Sequence, residues 1–228
     1  KAATHLGTNK KIMLKSEIYS VAANIKHAFT DSLTIAGAVA GTKLTTQADF
    51  FTITGVSGKE ITIENVTVDS PTQNFFTSDA ANTIIMNHLA FGTAATTRIS
   101  AGSLMSISAG SVTLKDVSVQ CITLDTASLL ACTGASVTIQ DSSAFTSISS
   151  SSTGAVLTQT LSGSSKLTLD SSVTFKACSS ALSVLYLTVD STATLDNSLS
   201  LPATLNLKTE AGADITSWTA ATSVIAFA

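Results

Sequence analysis

The amino-acid sequence predicts an all-β fold: a right-handed parallel β-helix, or solenoid, of about eight coils. Three observations lead there. A tripeptide of apolar residue, threonine and apolar residue recurs about every 25 residues, and a fixed period of that size is the signature of a repeat architecture. A short turn rich in Gly, Ser and Asp precedes each copy. An Asn or Asp follows most copies and introduces a further apolar pair.

Taken in chain order, residues 1–30 fit the repeat least and are expected to form an irregular coil or cap. Ile12-Met13-Leu14 reads as an early strand, while Ile18 to Phe29 has mixed spacing that suits a short helix or an irregular coil. Residues 31–228 are expected to be the repeating coils of one domain spanning 1–228. The tripeptide appears as Leu33-Thr34-Ile35, Ile61-Thr62-Ile63, Val112-Thr113-Leu114, Val137-Thr138-Ile139, Leu167-Thr168-Leu169 and Ala193-Thr194-Leu195. Ile84-Ile85-Met86 fills the gap between the second and third of these, and Ile215-Thr216-Ser217 keeps two positions near the end. Successive anchors lie 28, 23, 28, 25, 30, 26 and 22 residues apart, a scatter that loop insertions on one side of a coil would produce.

The flanks are as regular as the anchors. Ser57-Gly58-Lys59-Glu60, Ala109-Gly110-Ser111 and Thr133-Gly134-Ala135-Ser136 supply the positive φ and the side-chain-to-backbone bonds of tight turns. Alternating runs such as Phe51-Thr52-Ile53 and Leu185-Tyr186-Leu187-Thr188-Val189 lie before the turns. After the tripeptides come Asn65, Asp116, Asp141, Asp170 and Asp196, expected at bends between strands. Period two then orients the coil. In apolar-Thr-apolar the outer residues face one side and Thr the other. The apolar pair belongs inside, the threonines form an external column, and only stacked neighbours close the core.

Composition narrows the function classes. Charged residues are 12% of the chain, whereas Ser and Thr number 70, so hydroxyls supply the polar surface. The net charge is −3 and Arg98 is the single arginine, so the basic stripe of a nucleic-acid binder is missing. Lys10, Lys11 and Lys15 read as a solvated surface. Cys121, Cys132 and Cys178 fit no zinc spacing, and His5, His27 and His88 lie far from them. Small buried side chains stacked in the core are favoured for the cysteines over one disulfide with a free thiol. No run approaches the length of a membrane span; Leu33 to Gly41 is the longest candidate. The chain opens on Lys1 and closes in the apolar run Val224 to Ala228, as a mature product or an excerpt of something longer would. No cap is expected at that final run, which points to end-to-end stacking of open strand edges.

With coils of this length and three strand-like segments each, residues 30 to 217 resemble the pectin-lyase-like β-helix superfamily, which includes secreted surface passengers and adhesins. The resemblance is architectural, and one architecture hosts many functions. An elimination of the pectate-lyase type would, by that resemblance, need acidic calcium ligands beside a basic residue. Arg98 has no acidic residue within eight positions on either side.

The repeated Asn/Asp positions are the most tempting site, because stacking would place carboxylates about 4.8 Å or 9.6 Å apart, overlapping the separations of paired glycosidase carboxylates. One residue per coil fits a bend ladder better than a local catalytic cluster. His88 reads as a strand or bend residue, and Phe75, Phe76, Phe91, Phe145 and Phe175 as core stacks. Trp218 reads as a cap or contact, with carbohydrate stacking the minor option. An ice-binding Thr array fails on charge, since the residues two after each Thr are Ala36, Glu64, Lys115, Gln140, Asp170 and Asp196. Asn65-Val66-Thr67 is a formal glycosylation acceptor, weighed against an unmodified turn residue. The sequence therefore nominates no catalytic, cofactor-binding or metal-ligating residue. It favours a non-enzymatic extracellular or cell-surface rod, structural or adhesive, whose partners are copies of itself or a surface receptor or glycan. A β-helix carbohydrate-active enzyme is the alternative.

Overall fold

The structure, a computed structural model, describes residues 9–21, 25–26, 31–38, 41–46, 50–71, 74–92, 96–181, 183–190, 192, 199–200, 206–208, 218–221 and 224–227. It is a parallel β-solenoid with three faces, and no helix occurs among the described residues. The first face stacks Asn9–Met13, Ser32–Ala36, the leading halves of Glu60–Val68 and Asn82–Phe91, then Gly110–Lys115, Ala135–Gln140, Leu167–Leu169 and Leu199–Ser200. The second face continues those two long strands and adds Ile18–Val21, Lys43–Thr46, Thr97–Ile99, Ser118–Leu124, Ala144–Ser150, Thr174–Lys176 and Asn206–Lys208. Ile25–Lys26, Phe51–Ile53, Phe76–Ser78, Met105–Ile107, Leu130–Thr133, Gly154–Leu161 and Ser183–Val189 make the third.

The tripeptides set the register. Leu33 pairs with Ile61, Ile61 with Ile84, Ile84 with Val112, Val112 with Val137 and Val137 with Leu167. Their middle residues fall into one outward column of Thr34, Thr62, Ile85, Thr113, Thr138 and Thr168. Inside, the apolar partners are almost fully buried. All five phenylalanines expected in the core are there. Phe51 stacks on Phe76 at 5.6 Å and Phe145 on Phe175 at 5.3 Å, each pair in register on adjacent coils.

About six turns are complete, running from Ser32 to Val189, against the eight expected. The difference lies at the trailing end. Leu167 pairs with Leu199, so the next first-face strand begins beyond the Ala193 anchor, which with Ile215 lies outside the described residues. Val224–Phe227 then runs antiparallel to Ser183–Val189, and Trp218–Ala221 pairs antiparallel outside it. The final apolar run is therefore not an open coil edge continuing the parallel stack: it turns back as a hairpin that extends the third-face sheet at its trailing edge.

The early strand expected at Ile12-Met13-Leu14 is present as Asn9–Met13, whereas the stretch from Ile18, expected as a short helix or an irregular coil, supplies the strands Ile18–Val21 and Ile25–Lys26; each of the three pairs in parallel with the following coil. Lys10 occupies the register of Leu33. Its side chain is 13% exposed and reaches Asp31 at 3.0 Å, so the aliphatic stem lies on the core edge while the ammonium is paired.

Two ladders of left-handed residues turn the corners. Asn65, His88, Asp116 and Asp141 have φ between 52° and 57° at the corner from the first face to the second. Cys121, Ser147 and Ala177, with φ of 53° to 55°, break the second face again one short strand later. Asp170 leaves the expected ladder. The pairing of Ile139 with Leu169 sets it beside Gln140, and its carboxylate accepts from the Ser172 N–H and hydroxyl. Asp196 lies outside the described residues.

All three cysteines are free, which excludes the disulfide alternative. Only Cys132 is buried; Cys121 sits at the second bend, and the Cys178 Sγ lies 3.4 Å from the Phe145 carbonyl. Burial pushes the Cys132 thiol up to about 12 and the Cys178 thiol up to about 11. The folded state thus holds these protons more tightly than the unfolded chain, whose thiols ionise near ~8.5. Their stabilisation is full below that value and is lost as pH climbs through the folded values. Urea midpoints are expected to be flat in this respect up to about pH 8 and to fall above it, and Cys132→Ala is expected to remove much of the fall. An unchanged alkaline slope in that variant would contradict the assignment.

Candidate functional site

Among the described residues an open groove of about 530 Å³ lies beside Arg98. Thr97 and Ile99 point into the core, so Arg98, between them, must point out. Parallel pairing sets Thr123 beside Arg98 and Ser149 beside Thr123, giving one outward column from three coils. Asp125 follows the end of the Thr123 strand, and the Arg98 Nε donates to both of its carboxylate oxygens, at 2.9 and 2.8 Å. Arg98 is 72% exposed and Asp125 25%, so the pair is worth at most about 1 kcal/mol to stability.

Hydroxyls line the remainder. Thr123 and Ser149 share a hydrogen bond of 3.0 Å. The Ser150 hydroxyl donates to the Ala127 carbonyl at 2.6 Å and accepts from the Ser152 N–H at 2.9 Å, and the Ser151 hydroxyl donates to the Asp125 carbonyl. Among the described residues the two Nη groups of Arg98 donate no hydrogen bond. The groove thus offers guanidinium donors and hydroxyl acceptors with charges that cancel. A guanidinium does not deprotonate in proteins, so Arg98 can bind and orient but cannot serve as a base at neutral pH.

Asp125 was missed in the sequence because the search for an Arg98 partner stayed local. It lies 27 residues away, one coil further on. Adding one repeat period to Arg98 would have found it.

The other candidates are occupied elsewhere. Asp141 receives Lys115 Nζ and Gln140 Nε2, each at 3.4 Å. The hydrogen bonds from Ser172 hold the Asp170 carboxyl below the usual range. Asp170 lies beside Gln140 in the register, so these two carboxylates occupy different ladder positions. His88 Nε2 lies 3.2 Å from Asp116 Oδ2 on the bend ladder. Trp218 opens the outermost strand of the hairpin. Among the described residues no group of three or more His, Cys, Asp or Glu gathers around a possible metal. No helix among them is long and apolar enough to cross a membrane.

The outward columns differ between faces. Beside the first-face threonines runs a mixed column of Ala36, Glu64, Asn87, Lys115 and Gln140. After Lys26, the third face presents Thr52, Thr77, Ser106, Ala131, Thr158 and Tyr186 in register, without a charge over these six coils. No protein-family model, curated protein or solved structure matches the chain.

Proposed function

We propose that this chain is a non-enzymatic extracellular or cell-surface rod, structural or adhesive, of the kind found among secreted β-helix passengers. The uncharged third-face column is the observation that carries this reading. Over six stacked coils Thr52, Thr77, Ser106 and Thr158, with Ala131 and Tyr186, align into one strip without a charge, a surface for broad, weak contact with a glycan or receptor rather than for a small substrate. End-to-end addition of such rods into a fibre is part of the same proposal.

The test is retention on surfaces coated with neutral or acidic polysaccharide, comparing the parent with the double variant Thr77→Lys, Thr158→Lys. The expected result is retention of the parent and at least a tenfold loss in the variant at unchanged melting temperature. Equal retention of both would overturn the third-face assignment. Electron microscopy at high concentration reads the fibre version, which fails if only single rods are seen.

The Arg98–Asp125 groove favours a second reading, a β-helix carbohydrate-active enzyme. Turnover on a polysaccharide panel, assayed with and without calcium and lost in Arg98→Ala, would establish it in place of the rod.

A further inference from the structure

We propose that Asn65 is an N-glycan attachment site on the corner between the first and second faces. Asn65-Val66-Thr67 is the single Asn-x-Ser/Thr triplet in the chain. The structure separates it from the rest of its ladder. His88 is paired with Asp116, and Asp141 with Lys115, so the other corner side chains are engaged. The Asn65 carboxamide has no hydrogen-bond partner among the described residues, although the residue is only half-buried at a φ of 57°.

On the neighbouring coil Gly37 lies against the Asn65 backbone, where any Cβ would run into the Asn65 carbonyl, so Gly37 itself sets no side chain beside the Asn65 carboxamide. Val66 points into the core, which turns Thr67 outward on the same strand as Asn65. The left-handed corner therefore uses the Asn65 backbone, while its half-buried carboxamide makes no hydrogen bond among the described residues.

In the transfer step the Asn65 Nδ2 attacks the anomeric carbon of an oligosaccharide carried on a polyisoprenyl diphosphate. The N–C bond forms as the bond from that carbon to the phosphate oxygen breaks. The lipid diphosphate leaves, and one amide proton passes to a base. This inference rests on the extracellular reading, since such donors serve exported chains. A glycan there would shield the first-to-second corner and leave the third face clear.

The full chain, directed into the secretory route of a eukaryotic host, is analysed as total protein, both cell-associated and secreted. An N-glycan amidase is expected to remove a mass excess and leave aspartate in place of Asn65. Asn65→Gly, which suits the left-handed corner, and Thr67→Ala are expected to lack that excess, whereas Thr67→Ser keeps it. Since the amide makes no hydrogen bond among the described residues, the glycosylated and Asn65→Gly proteins are expected to melt within a few degrees of each other. Unmodified Asn65 in both pools overturns the proposal, as does a glycosylated chain that fails to melt cooperatively. A chain that adheres without a glycan removes this inference and keeps the rod, and a glycosylated chain that adheres to nothing does the reverse.

Discussion

Phe76→Ala is expected to destabilise the rod by about 3–5 kcal/mol, the range for truncating a buried phenylalanine. Phe76 is fully buried in the middle of the third-face ladder, paired in register with Phe51 on one side and Met105 on the other. Its ring stacks on Phe51, and the adjacent Phe75 stacks on Phe50 at 4.9 Å and meets Phe91 edge-on at 5.0 Å. The loss belongs at the upper end of the range because the hole cannot close. Backbone hydrogen bonds on both sides hold neighbouring coils about 4.8 Å apart, so the walls of the cavity are pinned. Urea unfolding followed by far-ultraviolet circular dichroism measures the change. A loss below about 1.5 kcal/mol, the size of a volume-conserving core swap, would mean that the stack is not tightly packed.

Gly110→Ala is the second large effect, expected at about 3 kcal/mol or more, and its origin is backbone geometry. Gly110 starts a first-face strand with a φ of 87°, outside the range that L-residues adopt readily, which alone costs about 1–2 kcal/mol. An added Cβ would also strike the Asn82 carbonyl oxygen and lie 2.5 Å from the Asn82 nitrogen. Asn82 cannot retreat. Its buried side chain accepts from the Lys59 N–H at 3.0 Å and donates to the Val56 carbonyl at 2.8 Å, tying the preceding loop to the coil. Gly58→Ala is the control, since φ is 72° there and nothing lies within 4 Å of the new atom. It is expected to lose only the conformational part, about 1–2 kcal/mol. Equal melting temperatures for the two alanine variants would show that the contact with Asn82 is relieved at little cost.

The sequence spoke most clearly where one physical rule was repeated without interruption. Leu33, Ile61, Ile84, Val112, Val137 and Leu167 share an inward register because period two and the turn residues agree at each of them. At the opening coil that agreement fails. Lys10 stands where an apolar residue was expected, and its burial depends on Asp31, twenty-one residues away, which hydrophobic spacing does not register. At the other end two apolar-hydroxyl-apolar triplets lie close together, and loop length selects the one beginning at Leu199 over the one at Ala193. The second bend was invisible for another reason: cysteine, serine and alanine announce no left-handed conformation, yet Cys121, Ser147 and Ala177 all adopt it. The groove was hidden because its parts come from successive coils, so Arg98 and Asp125 become neighbours only once the pitch is known.

The pairing of Gly110–Lys115 with Ala135–Gln140 is continuous over its whole length, and both strands enter from a glycine turn and leave through an aspartate at positive φ. One turn can therefore stand in for another. Excising residues 111–135 would join Gly110 to Ser136, keep the glycine against Asn82 and move no side chain from one face to another. The overall dimension of this molecule is then a heritable variable, adjustable in whole turns by duplication or deletion while the cross-section stays the same.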